Sequence, residues 1–408
     1  MKRSLFTSLL SLLCLTFGYA QKQTPSTLKF TNDLQNFTSL TELKKALRGV
    51  EIIALGENTH GLGEVFRTKA ELVKFLHQEM GFGLLLFESG FGDGALAWEQ
   101  LPRLSAKAYT KAFTSNYYYH SKEILSLMNY VKAKAQTKQP LLVQGIDCQP
   151  QQGYLITQMQ QLIDPIDAAF ANTIKRKMRE FNLLYHHEHK KDSVAFYKQR
   201  KQFIQFINQC QKYLNDPQIS SKPANKANIA LIKKTLDGFK KTYQNIPYGG
   251  MMSWPLAYNI RDKAMFEAVQ PFRKKYPRKK IIIWAQNSHI ENIPKPNDRV
   301  QWMGHHLKKT YGKRYYSVGA IVYSGRDLRY NKTATFEHKK TDYLAYRLEQ
   351  YQQTSLFINL RSNPQPDFLS KPLLGMESNG NEAVFAAKTR FDGILFIHHS
   401  DIPQLLKE

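Results

Sequence analysis

Short apolar runs alternate along the chain with longer segments in which apolar residues recur every three or four positions. The runs at residues 51–55, 84–87, 141–143 and 280–284 have the length and composition of buried strands. From Leu62 to Met80 the apolar residues follow helical spacing, and further strands are predicted at residues 315–321, 333–336, 356–360 and 393–397. Strands that are apolar throughout and separated by helices predict an α/β fold, with a largely parallel sheet flanked by helices.

The stretch from about residue 149 to about residue 245 has a different character. It is rich in Lys and Gln, its apolar residues form helical stripes, and it contains few strand signals. We therefore predict a helical insertion, or subdomain, within one α/β domain that covers residues 21–408.

The N-terminus has the pattern of an export signal. Lys2 and Arg3 precede an apolar run over residues 5–17, and Gly18 and Ala20 then supply the small residues of a cleavage site. This pattern predicts a signal peptide over residues 1–20 and a mature protein outside the cytoplasm, either periplasmic or extracellular. The apolar run is too short to span a membrane comfortably, and no later run is long enough, so no integral membrane segment is expected in the mature chain.

Composition and charge narrow the class of protein. The 408 residues are 42% hydrophobic, which is enough for a substantial core. A net charge of +25 is a feature that many nucleic-acid-binding proteins share. No nucleic-acid-binding motif is present, so we expect no nucleic-acid partner and favour solvated Lys-rich helix faces. Cys148 and Cys210, the two cysteines beyond the signal peptide, are too few for a disulfide framework, and the sequence leaves their pairing open.

Ionisable side chains follow four of the predicted strands. Glu57 and His60 follow the first strand, Glu88 the second, Asp147 the third and His289 the fourth. Because the carboxyl ends of parallel strands meet at one edge of a sheet, we expect these side chains to form an active site there. A carboxylate beside an imidazole fixes the tautomer and raises the basicity of the ring, so Glu57 and His60 are the expected water-activating pair.

Several further residues are candidates for supporting or substrate-binding roles. The helix after the Glu57–His60 turn should offer free N–H groups to an oxyanion. Lys69 falls on its apolar face, either to reach solvent along the sheet or to direct a cation at the carboxylates or the oxyanion. Glu64 on the same helix is a less certain candidate, since it could pair locally. Arg261 could pair with Asp262 at the surface, or it could clamp Glu88 or a substrate oxygen.

The absence of several sequence motifs limits the choice of mechanism. The chain lacks the G-x-S-x-G, H-E-x-x-H and P-loop signatures, so a standard serine hydrolase, a zincin and a P-loop enzyme are not expected. Water attack with His60 as general base remains. No cofactor is predicted, but a divalent metal stays an open alternative, since every member of the principal cluster is a legal ligand: Glu57, His60, Glu88 and His289.

An ordered set of short motifs resembles the erythromycin esterase family. It comprises Gly-Glu-Asn-Thr-His-Gly at 56–61, Leu-Phe-Glu at 86–88, Gly-Ile-Asp at 145–147, Arg-Asp at 261–262 and Trp-Ala-Gln-Asn-Ser-His at 284–289. The resemblance implies an α/β core with a helical insertion and a deep cleft. It also implies hydrolysis of a small-molecule ester or lactone, with His60 activating water and with Glu57 and Glu88 in support.

The chain departs from the family pattern at one prominent position. His289 matches the second histidine of the family's W-x-H-N-x-H motif, but Gln286 stands in place of the first. Glutamine can form hydrogen bonds but cannot carry a proton at neutral pH. Lys69 stands where the family has a basic residue. Two other function classes stay open: a metal-dependent hydrolase or peptidase that uses the same cluster, and a non-enzymatic binding protein of the cell envelope.

Overall fold

The computed structural model describes most of the chain beyond its N-terminal segment. The described residues are 40–407, except for 115, 150–153, 188–192, 222–224, 246–253, 294–298, 330, 353, 363–365 and 379–380. The signal peptide predicted at residues 1–20 lies outside them.

The core is an eight-stranded sheet, and its strand order positions the site. Its strands are β1 Ile52–Leu55, β2 Phe82–Gly90, β3 Leu142–Asp147, β4 Lys280–Trp284, β5 Tyr315–Arg329, β6 Lys332–Glu337, β7 Ser355–Asn359 and β10 Gly393–Ser400. The order is β3-β2-β4-β1-β5-β10-β7, and β6 pairs with β5. The pairs from β3 to β10 are parallel, whereas β7 and β6 are joined in antiparallel fashion. The predicted α/β fold with a largely parallel sheet is therefore confirmed.

Helices cover both faces of the sheet because its central strands are apolar on both sides. Helices α2 Gly63–Met80 and α5 Lys122–Lys134 lie on one face, and α11 Trp254–Lys275 and α13 Met303–Tyr311 on the other. Along β1, Ile53 and Leu55 join the first apolar cluster, whereas Ile52 and Ala54 join the second. This alternation follows from the two-residue period of a strand.

The residues between β3 and α11 form a helical unit with its own apolar cluster. Its helices are α6 Tyr154–Ile163, α7 Ala168–His187, α8 Ser193–Tyr213, α9 Pro217–Ser220 and α10 Lys226–Asn245. Cys148 and Cys210 are both buried and both free. None of the helices in the described ranges is long and apolar enough to cross a membrane.

Several elements were not predicted from the sequence. They are α1 Thr41–Ala46, α3 Phe91–Gln100, α4 Ala106–Phe113, α14 Leu344–Glu349, α15 Ala387–Arg390 and a separate hairpin of β8 Leu373–Ser378 with β9 Asn381–Phe385. Strand β2 also runs to Gly90, three residues beyond its predicted end. In α3 the glycines reflect close packing, since a Cβ on Gly94 would lie 2.3 Å from the backbone nitrogen of Gly145.

Candidate active site

The site lies at the carboxyl ends of the four strands β1 to β4. Strand β1 stands between β4 and β5. The connection from β1 to β2 runs through α2 on one face of the sheet, whereas the connection from β4 to β5 runs through α13 on the other face. The loops after the neighbouring strands β1 and β4 thus leave toward opposite faces, an arrangement in which α/β sheets commonly form a binding crevice.

Glu57 is the centre of the first group of side chains. Its carboxylate is fully buried, and its Oε1 lies 2.6 Å from His60 Nδ1. The hydroxyl of Tyr119 donates to the same Oε1 at 2.7 Å and lies 3.1 Å from His60 Nδ1. The side chain of His60 keeps 14% of its surface exposed, so the ring reaches solvent while its Nδ1 edge faces the buried carboxylate.

Lys69 forms an ion pair with the other carboxylate oxygen of Glu57. Its Nζ lies 2.6 Å from Glu57 Oε2 and 4.2 Å from the ring centroid of Trp284. The ammonium group is buried against the carboxylate instead of reaching the surface. Burial lowers the pKa of Lys69 to about 8, although Glu57 opposes that change. Burial alone would raise the pKa of Glu57, but the charge of Lys69 and the hydrogen bond with His60 outweigh it and lower that pKa.

The turn that carries His60 is held by β5. Thr59 Oγ1 donates to Asp327 Oδ1 at 2.9 Å, and the backbone nitrogen of Leu328 donates to the carbonyl oxygen of Gly61 at 3.2 Å. A Cβ on Gly61 would lie 2.2 Å from Asp327 Oδ1, so a glycine is required for this close approach.

Glu88 is the centre of the second group. Arg261 donates to Glu88 Oε1 at 2.9 Å and to both oxygens of Asp147, at 3.0 and 2.7 Å. The backbone nitrogen of Gln286 donates to Glu88 Oε2 at 2.8 Å. Burial would raise the pKa of Glu88, but the charges of His289 and Arg261 outweigh it and hold that pKa well below its usual range. Arg261 therefore clamps Glu88, one of the two alternatives that the sequence left open.

A bulge in β2 places Glu88 in this group. Between the pairs Phe87–Gly145 and Gly90–Asp147, strand β2 has one residue more than β3. Such a bulge bends its strand and redirects the side chains within it.

His289 lies in the short helix α12 Asn287–Ile290 and contacts two carboxylates. Its Nδ1 lies 2.7 Å from Asp262 Oδ1, and its Nε2 lies 3.4 Å from Glu88 Oε1. Burial would lower the pKa of His289, but Asp262 and Glu88 outweigh it and raise that pKa to about 9. His289 is therefore an imidazolium at neutral pH. Asp262 also accepts a hydrogen bond from the backbone nitrogen of Met303 at 2.9 Å and is fully buried.

The expectation that the start of helix α2 offers free N–H groups to an oxyanion is wrong. The backbone nitrogen of Gly63 donates to the carbonyl oxygen of Asp401 at 2.7 Å, and that of Glu64 donates to Ser400 Oγ at 3.1 Å. These N–H groups are taken by the C-terminal segment and are not available to an oxyanion. The carboxylate of Glu64 faces the same segment, since its Oε2 accepts from the backbone nitrogen of Asp401 at 2.7 Å. Glu64 thus anchors the C-terminus instead of joining the cluster.

Tyr119 and Asp262 were not predicted as site residues from the sequence. Tyr119 ends a short 3-10 helix, Tyr117–Tyr119, in a segment without strand or catalytic-motif signals. Asp262 was considered only as a surface partner of Arg261. An aspartate buried one residue after a buried arginine is a signal that could have been used, because unpaired burial of either charge is costly.

The arrangement of the cluster does not fit a metal centre. Among the residues that the structure describes, no group of three or more His, Cys, Asp or Glu side chains could hold a metal ion. The carboxylates are already neutralised by cations of the protein, because Lys69 forms an ion pair with Glu57, and Arg261 forms ion pairs with Glu88 and Asp147.

Comparison with known proteins decides the family. The model of the erythromycin esterase family matches residues 77–400. The chain belongs to the erythromycin esterase family. The predicted resemblance is thereby confirmed, and the chain is a member of a family of hydrolases.

Individual relatives of this family member are distant but span nearly its whole length. It is 24% identical over 382 residues to YbfO of Bacillus subtilis (strain 168), whose name proposes a hydrolase, covering 88% of this chain and 85% of that protein. It is also 24% identical over 431 residues to an erythromycin esterase type II of Escherichia coli, covering 95% and 98%. A solved structure of an erythromycin esterase mutant in its open conformation shares the fold, with a TM-score of 0.61, 16% identity and coverage of 94% and 99%.

Proposed function

We propose that this protein hydrolyses a carboxylic ester or lactone of a small molecule, with His60 as the general base for water attack. One observation carries the proposal. Nδ1 of His60 is held by a buried carboxylate, while 14% of the side-chain surface remains exposed to solvent. When Nδ1–H donates to Glu57, the lone pair of the imidazole is on Nε2, where it can accept a proton from water.

The proton balance of the site favours this step. As the water oxygen attacks the carbonyl carbon, its proton passes to His60 Nε2 and the carbonyl oxygen becomes an oxyanion. The imidazolium that forms is stabilised by the charge of Glu57 at 2.6 Å. Four buried carboxylates, at Glu57, Glu88, Asp147 and Asp262, face three cations, at Lys69, Arg261 and His289. A proton gained by His60 therefore brings the cluster closer to neutrality.

His289 is the cation best suited to stabilise the oxyanion. It is protonated at rest, and within the described part of the chain its Nε2 has no hydrogen-bond partner, with Glu88 Oε1 at 3.4 Å. A fixed cation in a site that excludes water stabilises a developing negative charge far more than it would in bulk solvent. In this proposal His289 stabilises the oxyanion, the role that was predicted from the sequence for the N–H groups at the start of α2.

The experiment compares His60→Ala with a matched histidine variant on a panel of lactones and activated esters. His77 is the control, because its Nδ1 also contacts a tyrosine hydroxyl, that of Tyr130 at 2.5 Å, but in a different part of the fold. We expect His60→Ala to lower kcat/KM by about 10²–10⁴-fold, the usual contribution of a general base. His77→Ala should keep kcat/KM within a few-fold of the wild type.

Two outcomes would overturn the proposal. The first is folded His60→Ala protein that still turns over the substrates of the wild type. The second is activity that a chelator abolishes and a divalent ion restores, since a metal would then activate the water. If no ester is cleaved but the protein binds an acidic polymer in a salt-sensitive manner, it is a binding protein of the cell envelope.

We further propose that the protein acts outside the cytoplasm. The proposal rests on the charged start, apolar run and small-residue site at residues 1–20. It makes the substrate a small molecule that reaches the periplasm or the medium.

A further inference from the structure

The hydroxyl of Tyr119 contacts both members of the water-activating pair, Glu57 and His60. It lies 2.7 Å from Glu57 Oε1 and 3.1 Å from His60 Nδ1, so one oxygen of Glu57 faces two donors. We propose that Tyr119 is a positioning residue: by donating to this oxygen, it fixes the His60 ring in the tautomer that leaves Nε2 free as a base. This inference rests on the proposed function of the site.

The direction of the tyrosine proton decides the tautomer. If Tyr119 donated to His60 Nδ1, the ring proton would be on Nε2 and the imidazole could not accept a proton from water. The shorter distance, 2.7 against 3.1 Å, favours donation to Glu57. The carboxylate is also the better acceptor, because hydrogen bonds to an ionised group are stronger than those between neutral groups.

The ring of Tyr119 is held firmly enough for such a role. It is fully buried and packs against Phe66, Phe87 and His60, with centroid distances of 5.2, 5.1 and 5.3 Å. Burial, with the charges of Glu57 and Glu88, raises the pKa of Tyr119 far above its usual value. The hydroxyl therefore keeps its proton throughout the pH range of catalysis.

The segment around Tyr119 is anchored by distant parts of the chain. The backbone nitrogen of Leu406 donates to the carbonyl oxygen of His120 at 2.8 Å, and that of Asn331 donates to the hydroxyl of Tyr117 at 3.2 Å. The C-terminal segment and the β5–β6 hairpin thus fix the position from which Tyr119 reaches Glu57.

The effect of removing the hydroxyl follows from the groups around His60. The imidazole contacts Glu57, Tyr119 and the ring of Tyr118. Lys69 lies on the other oxygen of Glu57, and Asp327 of β5 is bound to Thr59 of the same turn. In Tyr119→Phe the oxygen of Glu57 that faces His60 loses one donor, and the imidazole ring loses a constraint on its orientation and tautomer.

The test compares the kinetics of Tyr119→Phe with those of Tyr109→Phe. Tyr109 is equally buried, and its hydroxyl has no hydrogen-bond partner among the described residues. For Tyr119→Phe we expect kcat to fall about tenfold with KM within about twofold. Tyr109→Phe should match the wild type.

A value of kcat for Tyr119→Phe that matches the wild type would overturn the inference, because the phenyl ring keeps the packing. If the variant does not fold, a measurement on the wild type tests the tautomer of His60. Nitrogen-15 spectra of the histidine rings, with the His60 signals identified by their loss in His60→Gln, should show Nδ1–H. An Nε2–H tautomer would refute the role of Tyr119. If the wild type cleaves no ester, the proposed function fails, and these spectra alone decide on Tyr119.

Discussion

His289 should couple the stability of the fold to pH. Its side chain is only 1% exposed, with Asp262 at 2.7 Å and Glu88 at 3.4 Å. Burial opposes its charge, but the two carboxylates raise its pKa to about 9. The perturbation is an increase in pH from 6 to 10, applied to the wild type and to His289→Gln, which retains a polar group beside Asp262.

The expected magnitude follows from the shift in pKa. The pKa of histidine in the unfolded chain is about 6.5, and one unit corresponds to about 1.4 kcal/mol. A rise to about 9 therefore contributes about 3 kcal/mol to the free energy of unfolding. Because the folded pKa is the higher one, this contribution is fully present below pH 6.5 and is lost as the pH rises through 9.

The assay is urea denaturation of both proteins at intervals across this pH range. Lys69 titrates in the same range with the opposite sign, because its folded pKa of about 8 lies below its unfolded value. Its contribution is common to both proteins, so the difference between their unfolding free energies isolates His289. We expect this difference to shrink by about 3 kcal/mol between pH 6 and pH 10. Curves that stay parallel would show that His289 is not an imidazolium in the folded state.

Two further predictions concern the second group of the site and the N-terminus. Arg261→Met leaves Glu88 and Asp147 buried without their cation, so we expect a loss of about 3–5 kcal/mol in urea denaturation. Arg326→Met, which removes an exposed ion pair, should leave the midpoint almost unchanged, and equal effects of the two variants would contradict the buried clamp. Export predicts that the protein recovered outside the cytoplasm begins at residue 21, and an intact N-terminus on cytoplasmic protein would exclude cleavage after Ala20.

The sequence predicted the parts of the fold whose pattern is local. The apolar runs of β1 and β4 are buried on both faces, and a continuous run of that length is the expected pattern for a central parallel strand. Helix α3 was missed because Gly92 and Gly94 lower helix propensity. Packing requires Gly94, because a Cβ there would lie 2.3 Å from the backbone nitrogen of Gly145 in β3. At the contact of α3 with α10 the required glycine is Gly238, since its Cβ would lie 2.7 Å from the Cα of Gly92.

The site could be predicted where its residues follow strands and not where distant segments supply them. Glu57 and His289 follow strands that pair with each other, so chain position and sheet topology suffice to bring them together. Tyr119 reaches Glu57 from a segment that is anchored by the C-terminal segment, through Leu406, and by the β5–β6 hairpin, through Asn331. The C-terminal segment also takes the first N–H groups of α2. The sequence near residues 63 and 119 gives no sign of contacts with the last residues of the chain, so these contacts could not be predicted from it.

The two imidazoles of the site differ in their surroundings, because the carboxylates beside them accept hydrogen bonds from different numbers of donors. Glu57 already accepts from Lys69 and Tyr119 when it meets His60, so much of its charge is satisfied before the imidazole is counted. Asp262 serves one backbone nitrogen besides His289, and Glu88 adds a second negative charge to that ring. His289 therefore holds a proton at rest. In the mechanism that we propose, His60 is the imidazole that accepts a proton from water, because Glu57 already divides its charge between Lys69 and Tyr119.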